Sequence, residues 1–236
     1  MAELKFYKVG GCVRDELLGL KSKDIDYAVV ASSYEEMKEW VAARGTVFDI
    51  PNAEKNYTIR ANVPELGGAV DFVLCRKDGP YSDGRRPDWV KPGTIDDDLA
   101  RRDFTMNAIA VDKDGNMYDP YGGIEHIKFK LITCVGVAAE RFREDSLRML
   151  RALRFCITKG FTIAPDIEEC FQNQQLLKLL KNVSTQRIAE ELEKMFRTDT
   201  LKSMRLFTEI YPALGTTIFG NEKHEQIWLE PTLRAR

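Results

Sequence analysis

Val9-Gly10-Gly11-Cys12-Val13-Arg14-Asp15, followed by Asp24-Ile25-Asp26, is the stretch whose reading decides the fold. The first part reads as a strand end, a Gly-Gly turn and a helix start over residues 12–19. The second reads as a strand, residues 24–31, that carries two carboxylates. Alternate strand side chains share a face, so Asp24 and Asp26 point one way while Ile25 and Tyr27 point toward a core. Two carboxylates at that spacing can hold a pair of divalent metals about 3.5–4 Å apart, the arrangement that supports in-line phosphoryl displacement. Magnesium suits it, because the ion takes oxygen ligands, keeps several waters and shares phosphate oxygens with a substrate. Gly10 and Gly11 lack Cβ atoms and let backbone approach a ligand. The helix after them offers unpaired N–H groups and a positive dipole end to an anion, and Arg14 adds a fork suited to phosphate. A Gly-Gly alone is a tight turn, and a D-x-D alone is a solvated strand edge. The two in this order, closely spaced, favour a site for a triphosphate and its metals.

The 236 residues suffice for one large domain or two small ones with a sizeable core. No apolar run approaches the roughly 20 residues of a membrane helix, and the strand expected from Lys5-Phe6-Tyr7 leaves no room for a signal peptide. Five cysteines (12, 75, 134, 156 and 170) without a C-x-x-C, and only His126 and His224, disfavour a zinc site. A reducing cytoplasm fits that cysteine usage. Net charge is −2, which excludes a generic polyanion binder, but it divides unevenly: 19 basic and 23 acidic side chains in residues 1–137, 16 and 14 in residues 138–236.

Along the chain, strands are expected at 5–9, 24–31, 46–50, 56–63 and 68–75, with a helix at 34–44 capped by Ser33 and carrying Glu36 in capping-box position. Asp71 interrupts the apolar run Ala69 to Leu74. A charge there is costly unless paired or metal-bound, which makes it a candidate third carboxylate. Residues 76–93 read as a mobile loop near the substrates, being turn-rich and charged with no periodicity. Thr94 caps a helix whose Asp96-Asp97-Asp98 reads as first-turn dipole chemistry rather than a metal site. In Arg101-Arg102-Asp103-Phe104-Thr105-Met106-Asn107-Ala108 the arginines suit phosphate, Asp103 suits a ribose hydroxyl, and Asn107 suits either the local turn or the sugar. A strand pair at 108–112 and 116–119, a turn and hinge at Asp119 to Gly123, and a short strand at 131–135 complete this part. Helices then follow at 144–159, 165–177, 184–197 and 200–211. Leu147, Leu150, Leu153 and Ile157 form a buried stripe, while Asp145 and Arg148 share an exposed face continued by Arg151 and Arg154. No helix is assigned from about residue 215 on.

Four ordered motifs resemble the class II tRNA nucleotidyltransferase and bacterial poly(A) polymerase family: Gly10 to Asp15 with Asp24 and Asp26, Arg101 to Ala108, Asp119 to Gly123, and Glu144-Asp145-Ser146-Leu147-Arg148. The resemblance implies an α+β fold: a polymerase-beta-like nucleotidyltransferase head with a mixed sheet over 1–137, then an all-helical neck and short body over 138–236 for base recognition and RNA binding. It implies that Asp24 and Asp26 bind the metals, with Asp71 as third carboxylate. It places Gly10, Gly11, Arg14, Arg101, Arg102, Asp103 and Asn107 at the triphosphate and ribose, and Asp145 and Arg148, with Arg151 and Arg154 alongside, at the incoming base. An Asp acceptor beside an Arg donor matches the edge shared by cytosine and adenine, an amino donor next to a bare ring nitrogen, and mismatches uracil and guanine.

The implied activity is template-independent addition of CCA to the 3′ end of tRNA from CTP and ATP with magnesium, in the cytoplasm and without a membrane partner. Poly(A) polymerase, partial addition of A or CC, and a non-catalytic nucleotide- or RNA-binding module are the alternatives. The Tyr81 to Pro87 loop, which family members that add only CC tend to shorten, is retained. Two features depart from the family pattern. Asp71 stands where Glu is common, and the family usually continues through a longer helical body, which leaves a minimal enzyme, a homodimer sharing its RNA grip, or a fragment as readings.

Overall fold

The computed structural model describes residues 3–22, 24–224, 227 and 229. The chain divides into two compact units, residues 1–79 with 88–128 and residues 80–87 with 129–236. The junction expected at 137/138 falls inside the second of these, because the short strand expected at 131–135 pairs with a partner in that unit.

The first unit runs β1 (Lys5–Val9), α1 (Gly11–Leu17), β2 (Asp26–Val30), α2 (Tyr34–Ala42), β3 (Thr46–Val47), β4 (Thr58–Val63), β5 (Gly68–Leu74), β6 (Arg76–Asp78), β7 (Val90–Pro92), α3 (Ile95–Ala100), β8 (Ala110–Val111), β9 (Met117–Tyr118) and α4 (Gly123–Lys128). Seven strands form one mixed sheet in the order β3-β4-β5-β2-β1-β8-β9. Only β2 and β5 run parallel; the other pairs are antiparallel. Period-two patterning sorts the central strands. Tyr27 and Val29 of β2 and Val70, Phe72 and Leu74 of β5 face α2, where Met37, Trp40 and Val41 complete a hydrocarbon core. Tyr27 stacks on Phe72, and Phe6 packs against Trp40. Asp26 and Asp71 therefore lie on the other face.

Helix α2 starts as expected, with Ser33 Oγ accepting from the Glu36 N–H at 3.1 Å. The Glu36 carboxylate, however, accepts from the N–H and hydroxyl of Ser32, one residue earlier than a capping box requires. Residues 76–93 are not a structureless loop. β6 and β7 pair antiparallel as a separate two-stranded ribbon, Arg76 opposite Pro92 and Lys77 opposite Lys91. Three residues per strand, flanked by Gly and Pro, carry too little alternation to be seen in the sequence.

The second unit runs β10 (Leu131–Ile132), α5 (Ala138–Glu144), α6 (Leu147–Lys159), β11 (Thr162–Ile163), α7 (Pro165–Cys170), α8 (Gln174–Leu180), α9 (Thr185–Thr198), α10 (Thr200–Arg205), a π-helical turn over Leu206–Ile210, and α11 (Pro212–Phe219). β10 pairs parallel with β11. The helix expected at 144–159 is two helices broken at Asp145, whose backbone is extended at φ −150° and ψ 102°. The one expected at 165–177 breaks before Asn173, which caps α8. α11 forms although no helix is assigned there; Pro212 opens it, and Leu214 and Ile218 bury one side. The end of that tail, residues 225, 226, 228 and 230–236, lies outside the described residues. No helix among the described residues is long and apolar enough to cross a membrane.

The glycine motif at 119–123 has a packing origin. Asp119 accepts from the Gly123 and Ile124 N–H groups at 2.7 and 2.8 Å, capping α4. A Cβ on Gly123 would lie 2.1 Å from the carbonyl oxygen of Thr105, so only glycine lets α4 press on the turn at Thr105–Asn107. His126 Nδ1 meets Thr105 Oγ1 at 2.8 Å across the same contact. Gly123→Ala forces these elements apart, and urea unfolding is expected to show a loss of about 1–3 kcal/mol; an unchanged midpoint would refute the contact.

Candidate active site

In the first unit the parallel register sets Asp26 directly opposite Asp71. The ladder continues one residue further back, where the Asp71 N–H donates to the Ile25 carbonyl at 3.1 Å. Burial and the charge of Asp71 push the Asp26 carboxyl above the usual carboxylate range, with Asp24 adding to this and Arg102 opposing it. Asp24 itself precedes the strand, which begins at Asp26 rather than at residue 24, and is exposed. Asp71 is partly offset by Arg60, whose Nη1 lies 3.6 Å from Oδ2.

Gly10 stands beside these acids. Its backbone, φ 79° and ψ −137°, is open only to glycine. A Cβ there would fall 2.9 Å from Arg102 Nη1 and 4.0 Å from Asp26 Oδ2. A Cβ on Gly11 would lie 3.4 Å from the Arg14 guanidinium, an ordinary contact. Arg14 is expected from the sequence to face phosphate. Its side chain is instead buried and held by protein acceptors, Asp15 Oδ1 at 2.8–2.9 Å and Asn107 Oδ1 at 2.6 Å. Asn107 Nδ2 in turn donates to Asp103 Oδ1 at 3.0 Å, and that oxygen also takes the Phe104 N–H at 2.8 Å. Arg14, Asn107 and Asp103 are thus one hydrogen-bonded strut joining α1 to the turn that follows the two arginines.

Those arginines are set by a residue the sequence reading treats as helix chemistry. Asp97 does serve the helix end, bonding the Thr94 N–H and hydroxyl at 2.9 Å. Asp98 does not: it is fully buried, with Oδ1 clamped by Arg101 and Oδ2 by Arg102, the latter at 2.8 Å. Burial pushes its carboxyl up, but the two guanidiniums outweigh that and hold it below the ordinary range. Spacings of three and four residues on a helix are the signal that would have exposed the clamp. Arg102 Nη1 also donates to the Asn107 carbonyl at 3.1 Å. The clamp fixes where the two guanidiniums point.

In the second unit Asp145 and Arg148 do not share a helical face. Asp145 is the extended link between α5 and α6. It accepts from the Leu147 N–H at 3.2 Å and is gripped through both oxygens by Arg187 of α9, at 2.6 and 3.3 Å. Arg148 is buried rather than exposed and bonds Glu144 at 2.7 Å and the Arg141 carbonyl at 3.2 Å. Arg151 and Arg154 both turn to Glu191, a buried carboxylate on α9, with Arg151 Nη1 at 3.8 Å from it. Glu144 was legible at i,i+4; Arg187 and Glu191, about forty residues downstream, were not. Arg187 also lines a cleft of about 670 Å³ with Arg85, Arg143, Gln175 and Asn182.

Among the described residues no group of three or more His, Cys, Asp or Glu side chains is arranged to hold a metal ion, Asp24, Asp26 and Asp71 included. The crowding of Asp26 against Asp71 on adjacent strands suits a cation.

The description "Poly A polymerase head domain" matches residues 6–133, and "Probable RNA and SrmB- binding site of polymerase A" matches residues 160–212. A CCA-adding enzyme of Geobacillus stearothermophilus is 42% identical over 190 residues, 80% of this chain and 45% of that protein. The crystal structure of the Bacillus stearothermophilus CCA-adding enzyme in complex with CTP superposes with a TM-score of 0.75 at 36% identity, covering 94% of this chain and 52% of that one. A tRNA nucleotidyltransferase complexed with a primer tRNA and an incoming ATP analog gives 0.70 at 29% identity, covering 92% and 60%. The chain spans about half the length of the curated relatives it matches.

Two outcomes follow from the charges. Asp98→Asn removes a carboxylate whose folded-state pKa is lowered, so its contribution is present above about pH 4 and is lost as pH falls through the folded value. Urea unfolding should show a loss of about 3 kcal/mol at pH 7, narrowing at pH 3.5; equal loss at both values would contradict it. Asp26→Asn removes a carboxylate whose folded-state pKa is raised, a penalty fully present above that pKa and relieved as pH falls through it. Without divalent metal at pH 7 this variant should melt a few degrees higher than the parent, at about 2–4 °C per kcal/mol; a lower melting temperature would contradict the assignment.

Proposed function

The chain belongs to the poly A polymerase head domain family, and we propose that it carries the chemistry of a tRNA nucleotidyltransferase. The reaction is template-independent addition of C and A residues to the 3′ end of a tRNA from CTP and ATP, in the cytoplasm. The observation that carries this reading is the meeting of Asp26, Asp71, Gly10 and Arg102 on the acid face of the sheet. Relatives that match most of this chain are named CCA-adding enzymes, and structural neighbours hold CTP, or a primer tRNA with an ATP analog.

Enzymes of this family generally use divalent metals; here Asp24 and Asp26 would hold magnesium, beside Asp71. When bound, the ion neutralises triphosphate charge and activates the 3′ hydroxyl of the RNA. The hydroxyl gives its proton to water, its oxygen bonds to the α-phosphorus, the bond from the α-phosphorus to the oxygen bridging to the β-phosphorus breaks, and pyrophosphate leaves. Arg101 and Arg102, aimed by Asp98, hold the phosphate oxygens. Gly10 and Gly11 keep the approach free of side chains, and Asp103 accepts from the ribose. Arg14 and Asn107 act by bracing Asp103. Asp145 accepts from the amino group of cytosine or adenine and Arg148 donates to the adjacent ring nitrogen. A carboxylate has about four acceptor positions, so Asp145 can serve the base while Arg187 holds it. Arg151 and Arg154, tied to Glu191, keep positive charge along the same helix.

The test is incubation with a tRNA ending at the discriminator base, with CTP and ATP singly and together. Addition of two C and one A is expected, and Asp24→Ala or Asp26→Ala should each lower the rate by about 10²–10³-fold or more. Long A tails from ATP alone would assign a poly(A) polymerase. Nucleotide binding without magnesium-dependent turnover, unaffected by either substitution, would leave a non-catalytic binding module.

A further inference from the structure

The ribbon of β6 and β7 carries a feature that the nucleotide site does not use. Lys77 and Lys91 are cross-strand partners, and the same register continues to place Gly79 opposite Trp89. Side chains two apart on a strand share a face, so one face presents Lys77, Lys91 and Trp89, while Arg76 and Asp78, an ion pair at 2.9 Å, occupy the other. The Trp89 indole lies against Gly79: a Cβ on that glycine would be 2.6–2.7 Å from ring atoms. The residue is 44% exposed, and Lys91 Nζ sits over the ring in a cation–π contact, 4.7 Å from its centroid. Like charges directly opposite one another weaken a two-stranded ribbon. Neither lysine makes an ion pair among the described residues. The Asp97 carboxylate close enough to Lys77 to be stabilised by it is already held by Thr94.

We infer that this face is a stacking platform for single-stranded RNA: a base replaces the Lys91 ammonium on the Trp89 ring, and the flanking phosphodiesters take up Lys77 and the displaced Lys91. A flat indole seated on backbone, with two cations in reach of its flanks, is an arrangement that binds unpaired nucleotides without reading their sequence. The anionic backbone removes the repulsion that the ribbon otherwise carries. The site rests on the RNA reading above and assigns to that RNA a contact outside the nucleotide site.

The test titrates the whole chain with a fluorescein-labelled single-stranded oligoribonucleotide of roughly six nucleotides, without CTP, ATP or magnesium, reading affinity from the anisotropy of the label and the contact from indole fluorescence. Trp40 is buried and Trp228 lies outside the described residues, so the difference between the parent and Trp89→Phe isolates residue 89. Quenching on binding is expected. Trp89→Phe should keep most of the affinity while losing its share of the quench, and Trp89→Ala should weaken binding about ten-fold. Lys77→Ala with Lys91→Ala should flatten the slope of log affinity against log salt by about 1.4, two phosphates at about 0.7 each. Thermal melts establish that each variant folds. Folded Trp89→Ala and double-lysine variants that bind like the parent, or a quench unchanged in Trp89→Phe, would overturn the platform. The readout needs no catalysis: oligonucleotide binding by the ribbon with no nucleotide incorporation into tRNA would sink the transferase reading alone.

Discussion

The register between β2 and β5 is the constraint on which the first unit depends. It places Tyr27 beside Phe72 and Asp26 beside Asp71, hydrocarbon against hydrocarbon and acid against acid. Two acids side by side repel, so the pairing is not held by them. It is held by the opposite face, where the same strands bury aromatic and aliphatic side chains under α2. A slip of one residue would turn the aromatic face outward and the acids into the core, and neither move is tolerable. The core thereby stabilises a concentration of negative charge that a cation can exploit.

The positive side of the site is arranged by a different device. Arg101 and Arg102 are not left to find a ligand with their own flexible chains. A fully buried Asp98 takes one edge of each, and the strut from Arg14 through Asn107 to Asp103 fixes the turn that follows. Holding long side chains in place before the ligand arrives lowers the entropy lost on binding. In the second unit the acid at 145 is treated in the same way, gripped by Arg187 from a helix far along the chain. In both units a charged group assigned to a nucleotide is supported by an oppositely charged group that is not.

This division explains what could be read in advance. The glycine turn, the carboxylate-bearing strands and the paired arginines were legible, because each is a local pattern with a local reason. Asp98 was visible but misread, since three acids in a first turn have a sufficient explanation in the dipole; its spacing of three and four residues to Arg101 and Arg102, and its burial, separate it from its neighbours. The break at Asp145 was hidden because no Gly or Pro marks the interruption. Arg187 and Glu191 depend on tertiary packing between α6 and α9, to which no short-range pattern refers. The β6–β7 ribbon was missed for lack of length rather than lack of logic.

The excursion of residues 80–87 carries a practical corollary. The first unit is discontinuous in sequence, leaving at Gly79 and returning at Asp88. A genetic excision of that unit cannot be a simple truncation; it must splice across the gap. The ribbon makes the splice easy, since the Gly79 N–H already reaches the Trp89 carbonyl at 2.8 Å and the two strand ends are hydrogen-bonded neighbours. A tight two-residue linker of Asn-Gly type would suit the geometry, turning an interrupted module into a portable one.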